Sequence, residues 1–185
     1  MQNDFEVLSR ILESRYSCRA YQSRQVADAD IEELILAASR VPTWCNAQPW
    51  QVLVTKGNAT QVFSTALVRA AKTEEMKPDF EWPLQYSGDY QDRRRVCGYQ
   101  LYEALGLERN TYERRGEQMM ENFRVFGAPQ SAIVTTEAEL GPYGAMDTGG
   151  FIALFTLAAR AKGIAPVAQA SVTGYAPTIR KHFDI

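Results

Sequence analysis

Three short stretches hold the residue types that can do chemistry. In RYSCRAY (15–21) the polar side chains Arg15, Ser17 and Arg19 alternate. Alternate residues of an extended segment face the same way, so two guanidinium groups flank one hydroxyl. That set suits a phosphate, with bidentate charge-assisted bonds from the arginines and an O–H donor between them. VPTWCNAQPW (41–50) carries Asn46 and Gln48 two residues apart, stiffened by Pro42 and Pro49 and flanked by the broad faces of Trp44 and Trp50. Each amide offers two donors and an acceptor, a set that reads the edge of a flat heterocycle. In AQAS (168–171), Gln169 and Ser171 supply polar side chains, and the small Ala168 and Ala170 leave backbone N–H groups open to a ring nitrogen. Plainer readings stand beside these: a solvated basic loop for the first stretch and a helix-ending turn with one core tryptophan for the second.

Other chemistry has little to work with. The one histidine, His182, is near the C-terminus and reads as a surface cation at a helix end. Cys18, Cys45 and Cys97 are odd in number, widely spaced and without a CxxC pair, which argues against a disulfide framework or a zinc site. A Ser-His or Cys-His nucleophile is therefore not expected. An enzyme made from this chain would leave its chemistry to a bound organic cofactor, with no catalytic side chain and no metal of its own. The net charge of −2 gives no overall basic field to recruit nucleic acid or membrane. No apolar run reaches the roughly 18 to 20 residues that span a bilayer. The polar, acid-bearing start MQNDFEVLSR resembles neither a signal nor a transit peptide, so a cytoplasmic location is expected.

The elements that must position these stretches follow from periodicity. At 185 residues, 45% hydrophobic and 23% charged, one domain with a sizeable core is expected. Phe5, Val7, Leu8, Ile11 and Leu12 mark one face of a helix over 4–14. Asp28 is a good N-cap for a second helix with Ile31, Leu34, Ile35 and Ala38 on its buried stripe, ended by Pro42. QVLVT (51–55) reads as a strand, and Asn58 caps a third helix bearing Val62, Phe63, Leu67 and Val68. Residues 73–95 show no period and read as an irregular excursion, either a lid or a surface insertion. Arg93, Arg94 and Arg95 in it read as a solvated charge run. Helical spacing returns at 99–107 and again from Thr111, with Phe123 and Phe126 packing inward. Strands are expected over 128–137 and 166–172. A turn at GPYGAM should precede a long apolar helix over 146–162, closed by Gly163 at C′. Gly149 and Gly150 in that helix suggest a closely approaching backbone. Pro177 opens a last helix. The class is α+β, a sandwich with too few strands for a regular doubly wound sheet.

Taken together and in this order, the pieces resemble the FMN-dependent nitroreductase family. Arg15, Ser17, Arg19 and Tyr21 are similar to its Arg-x-Ser-x-Arg/Lys-x-aromatic opening. Ala38, Pro42, Thr43, Asn46, Gln48, Pro49 and Trp50 resemble its Ala-x-x-Pro-Ser-x-x-Asn-x-Gln-Pro-Trp block, with Thr43 at the Ser position. FGAPQSAIV, MDTGGFIALFTLAARAKGI and PVAQASV look like its later strand, central helix and the segment beside the flavin N5. The resemblance implies an α/β sandwich with an antiparallel-rich central sheet flanked by helices, in an intertwined homodimer. It implies FMN held by Arg15, Tyr16, Ser17 and Arg19. Ala168, Gln169, Ala170 and Ser171 would lie along the ring, Thr43, Trp44 and Asn46 would arrive from the partner subunit, and Pro42 and Gln48 would also bind the cofactor. NAD(P)H would reduce the flavin and a small aromatic acceptor would reoxidise it in ping-pong fashion. Nitroaromatics are the implied acceptors, of the type taken by the nitrobenzoate-reductase branch. The same flavin site would also suit reductive dehalogenation or enone and quinone reduction, and a non-catalytic flavin-binding chain is the remaining alternative. Family members continue past the last helix into a strand, a glycine-containing turn, a basic pair and a tail crossing onto the partner. None of these lies within the 185 residues, so a domain short of that C-terminal segment is expected.

Overall fold

Seven helices and two strands position the three stretches among the described residues, which are 3–107 and 112–185 of the computed structural model. In chain order they are α1 (Asp4–Ser14), α2 (Asp28–Ala38), β1 (Gln51–Lys56), α3 (Asn58–Thr73), α4 (Gly88–Ala104), α5 (Tyr112–Met120), β2 (Gln130–Thr135), α6 (Gly141–Ala161) and α7 (Ala176–Phe183). The contacts divide into two units. One holds the chain up to Val62 together with Phe126–Ala168, and the other holds Phe63–Val125 with Gln169–Ile185.

The first unit is organised by α6. α1 opens with a capping box, in which the Asn3 side chain accepts the Glu6 N–H at 2.9 Å and the Glu6 carboxylate accepts the Asn3 N–H at 3.2 Å. The expected apolar face of α1 exists but stays open to solvent, with Phe5 74% exposed. α2 packs on α6 through buried Leu34 and Ala38, and Phe151 and Ala159 of α6 are buried too. Just past α6, Lys162 reaches back to Asp30 (2.6 Å) and Glu33 of α2. Gly163 stands at C′ as expected, with φ +75°.

β1 and β2 pair antiparallel, Gln51 opposite Thr135 and Lys56 opposite Gln130. This pair is the whole sheet among the described residues. A buried hydroxyl cluster ties β1 to the start of α3: Thr55 Oγ1 lies 2.9 Å from Thr60 Oγ1 and 2.8 Å from Ser131 Oγ, and Thr60 donates to the Pro129 carbonyl at 3.2 Å.

Three expectations in this unit are corrected. Residues 166–168 carry no strand: Pro166 has no N–H to give a ladder, and among the described residues its carbonyl accepts from Cys18 N–H alone, at 3.4 Å. GPYGAM is not a turn but the first part of α6, which starts at Gly141 with Pro142 in its first turn, where a missing N–H costs nothing. Of the pair Gly149 and Gly150, only Gly150 meets a close neighbour, and it is a side chain: a Cβ there would stand 3.0 Å from Val41 Cγ2, whereas Gly149 faces open space.

In the second unit, Phe63, Leu67 and Ala70 form the buried stripe of α3. Val62, expected on that stripe, is exposed because it lies off this face. Phe123 is buried edge-on against Tyr175 at 5.3 Å, and Ser64 Oγ donates to the Phe123 carbonyl. Phe126, in the other unit, is buried as expected. His182 is not a free surface residue: its ring lies 5.2 Å from Phe63 and 4.8 Å from Phe183. Instead of continuing a strand, Ser171–Tyr175 winds into a 3-10 helix. The excursion is shorter than expected. Irregular chain runs from Glu74 to Ser87, and α4 occupies the rest, including Arg93–Arg95. α4 buries none of its residues, and only its last part, from Tyr99, shows the helical spacing expected there. Thr111, expected to open the following helix, lies outside the described residues.

Candidate functional site

The first stretch leaves α1 at Arg15 in an extended conformation (φ −72°, ψ 131°) and runs without regular structure. Arg15, Ser17 and Arg19 are exposed, while Cys18 is half-buried. Burial does not alternate along the stretch, because Tyr16 and Ala20 are exposed as well. Cys18 N–H donates to Pro166 O at 3.4 Å, and the Tyr21 hydroxyl donates to Cys18 O at 3.1 Å. Burial, and next the neighbouring Cys18, push the Tyr21 phenol well above the ordinary tyrosine range. Just before the stretch, Ser14 Oγ accepts the Arg160 Nε–H of α6 at 2.9 Å. Among the described residues, the side chains of Arg15, Tyr16, Ser17 and Arg19 make no hydrogen bond or ion pair. Two guanidinium groups and a hydroxyl thus face solvent uncommitted, a donor set suited to an anion. The Cys18–Pro166 bond sets this row beside the segment that leads to Ala168.

The second stretch is a strained loop bound to the N-terminal half of α6. Cys45 (φ 50°), Asn46 (φ 57°) and Gln48 (φ 46°) all take left-handed backbone, which costs L-residues other than Asn of order 1 kcal/mol each. Thr43 Oγ1 accepts the Gln48 N–H at 3.2 Å, and Asn46 Oδ1 accepts from Gln48 Nε2 at 2.9 Å. The two amides therefore read as one unit, with the Asn46 NH₂ group pointing to no partner among the described residues. The loop is pinned from outside by Asp147, whose Oδ2 accepts the Trp44 N–H at 3.0 Å. Trp44, 64% exposed, lies 5.4 Å from the Tyr143 ring, and Trp50 stacks on Phe151 at 4.9 Å. Pro42 is exposed and Pro49 buried. Tyr143, Asp147 and Phe151 recur every fourth residue, one face of a helix, and hold the loop in place. Sequence reading missed the first two because they fall in and beside the presumed turn. The i, i+4, i+8 spacing back from Phe151 was the available signal.

The third stretch divides at Ala168, which ends the first unit. In the second unit, Gln169 Oε1 is buried without a hydrogen-bond partner, Ala170 is exposed, and Ser171 Oγ lies 3.5 Å from Asn122 Oδ1. A buried acceptor left unpaired is costly and fits a site that a ligand completes. No group of His, Cys, Asp or Glu among the described residues is placed to hold a metal.

Comparison with known proteins bears on this arrangement. The Nitroreductase family model matches residues 12–185. The nitroreductase NfnB of Mycolicibacterium smegmatis is 31% identical over 185 residues, covering 97% of this chain and 77% of the relative. A 4-nitrobenzoate reductase from a Nocardioides species is 29% identical, over 95% of this chain and 73% of its own. The crystal structure of the FMN-dependent nitroreductase NfnB from Mycobacterium smegmatis in complex with NADPH superposes with a TM-score of 0.92 at 30% identity, over 98% of this chain and 83% of that one. Family match over nearly the whole chain and agreement of the backbone coincide, and the chain belongs to the nitroreductase family.

Proposed function

We propose that the chain is an FMN-dependent oxidoreductase that draws electrons from NAD(P)H and passes them to nitroaromatic or related electron-poor aromatic acceptors. The observation that carries this reading is the uncommitted Arg15–Ser17–Arg19 row in a nitroreductase fold. The chain's groups fit the cofactor: two guanidinium groups and a hydroxyl for a phosphate, the Asn46 NH₂ group for a ring edge, and an orphaned Gln169 acceptor for a ring N–H. When bound, FMN supplies hydride acceptance and electron delivery at N5, so the chain needs no acid, base or metal of its own. Arg15, Ser17 and Arg19 hold the phosphate and ribityl end, with Tyr16 beside them. Ala168, Gln169, Ala170 and Ser171 offer backbone and amide groups along the ring. Their task is orientation, holding the reacting groups in line for transfer.

In this reading the 185 residues act as one domain in a homodimer in the cytoplasm, and the loop Pro42, Thr43, Trp44, Asn46 and Gln48 serves the partner's flavin. Two features support the dimer. The apolar face of α1 (Phe5, Leu8, Leu12) is exposed, as an interface would leave it in a lone chain. The row is held near Arg160 and the loop near Asp147 of the same helix, roughly 20 Å apart at 1.5 Å per residue. Such a spacing favours two chains building one site. No helix among the described residues is long and apolar enough to cross a membrane.

The test is an absorbance spectrum of the purified chain before and after anaerobic NADPH. A flavin band that bleaches, and returns on adding a nitroaromatic, is the expected result. A chain that stays colourless even with added FMN overturns the reading. A bleached band that only halogenated aromatics or enones restore moves the acceptor class and keeps the flavin.

A further inference from the structure

We infer that Tyr21 is a positioning residue for the phosphate-binding row, acting through the Cys18 peptide. This rests on the FMN reading above. Ser17 and Arg19 flank Cys18, and the two peptide planes between them are each held by one bond. The 17–18 plane carries the Cys18 N–H, which Pro166 O accepts at 3.4 Å. The 18–19 plane carries the Cys18 carbonyl, which accepts the Tyr21 O–H at 3.1 Å. Peptide units are rigid, so holding these two planes narrows the directions in which the Ser17 and Arg19 side chains leave the backbone. Cys18 is turned inward and half-buried, as is Tyr21, while Ser17 and Arg19 face solvent.

The Cys18 thiol donates to Ala20 O at 3.1 Å and also lies against the Tyr21 hydroxyl, but it bonds neither Ser17 nor Arg19. Of the two plane-holding bonds, Tyr21's alone comes from a side chain and is open to substitution. Its burial keeps the phenol protonated far above neutral pH, so it remains a donor wherever the protein works. Pre-set side chains bind a phosphate without the ordering cost that a loose loop carries.

The experiment compares wild type and Tyr21→Phe, each stripped of flavin, by fluorescence titration with FMN and with riboflavin, which lacks the phosphate. Phenylalanine keeps the ring and removes only the donor. The expected result is an FMN Kd raised about 3- to 10-fold, the range of one net hydrogen bond, with the riboflavin Kd unchanged. Equal losses for both flavins would make Tyr21 a general structural residue and overturn the inference. So would an unchanged FMN Kd. The riboflavin arm and a thermal melt report on folding in the same samples. Failure of the underlying reading shows separately, as a wild-type chain that binds neither flavin.

Discussion

The N–H of Trp44 donates to the carboxylate of Asp147, 3.0 Å away in space and 103 residues along the chain. That bond holds a loop in which three residues other than glycine keep positive φ. Strained backbone persists only where its surroundings over-determine it, and Asp147 is the anchor outside the loop. Asp147→Ala should lower the unfolding free energy by about 1 kcal/mol, modest because water reaches the freed N–H. It should also shift the emission of the released Trp44 toward that of a solvated indole. Asp147→Asn keeps an acceptor oxygen and should recover most of both effects in denaturant and fluorescence titrations. Equal loss in both variants would show that charge, not the hydrogen bond, holds the loop.

Arg19 is the row's cation nearest the peptide plane that Tyr21 fixes. Its guanidinium is exposed and uncommitted in the protein, so its loss should cost little stability and mostly cofactor. Arg19→Ala should weaken FMN by about 1.5 to 3 kcal/mol, roughly 10- to 150-fold in Kd, as for a lost charge-assisted bond. Flavin titration at low and high salt checks it, and the wild-type advantage should shrink with salt. An FMN affinity that does not move would remove Arg19 from the site.

Much of this arrangement was legible in the sequence because it is local. The exposure of Arg15, Ser17 and Arg19, the helix of Leu34 and Ala38, the Pro177 start and the Gly163 stop each depend on neighbours within a turn or two. What escaped depends on distant partners or on their lack. The first turns of α4 have no buried face and no readable period, and their arginines masked a helix as a charge run. Val167 and Val172 have the β-branched look of a strand, but no strand pairs with them among the described residues. Tyr143 and Asp147 acquire their role only when the loop a hundred residues earlier folds onto them.

Gly149 and Gly150 are adjacent in α6 yet should respond oppositely to a methyl group. A Cβ at Gly149 meets open space, so Gly149→Ala should stabilise by about 0.5 to 1 kcal/mol through helix propensity alone. A Cβ at Gly150 would stand 3.0 Å from Val41 Cγ2, and the crowding should cancel or exceed that gain. Val41→Ala removes the obstructing methyl. In that background Gly150→Ala should become stabilising, giving a coupling of about 1 kcal/mol in a double-mutant cycle. Additive effects would mean that Val41 moves aside without cost.

Lys162 clamps the end of α6 to α2, and its hydrogen bonds to Asp30 and then Glu33 raise its pKa above the ordinary 10.5. A group whose pKa is raised on folding contributes its stability fully below the unfolded value and loses it as pH climbs through the folded one. Lys162→Met should therefore melt below wild type at pH 7 to 9, where the lysine is charged in both states. The gap should hold until roughly pH 10.5 and then close as the wild-type lysine deprotonates. Because Lys162 meets solvent, salt should narrow the gap at neutral pH as well. Melting curves across that range decide the matter: a gap that is flat with both pH and salt would assign the loss to the lysine's aliphatic stem packing rather than to its charge.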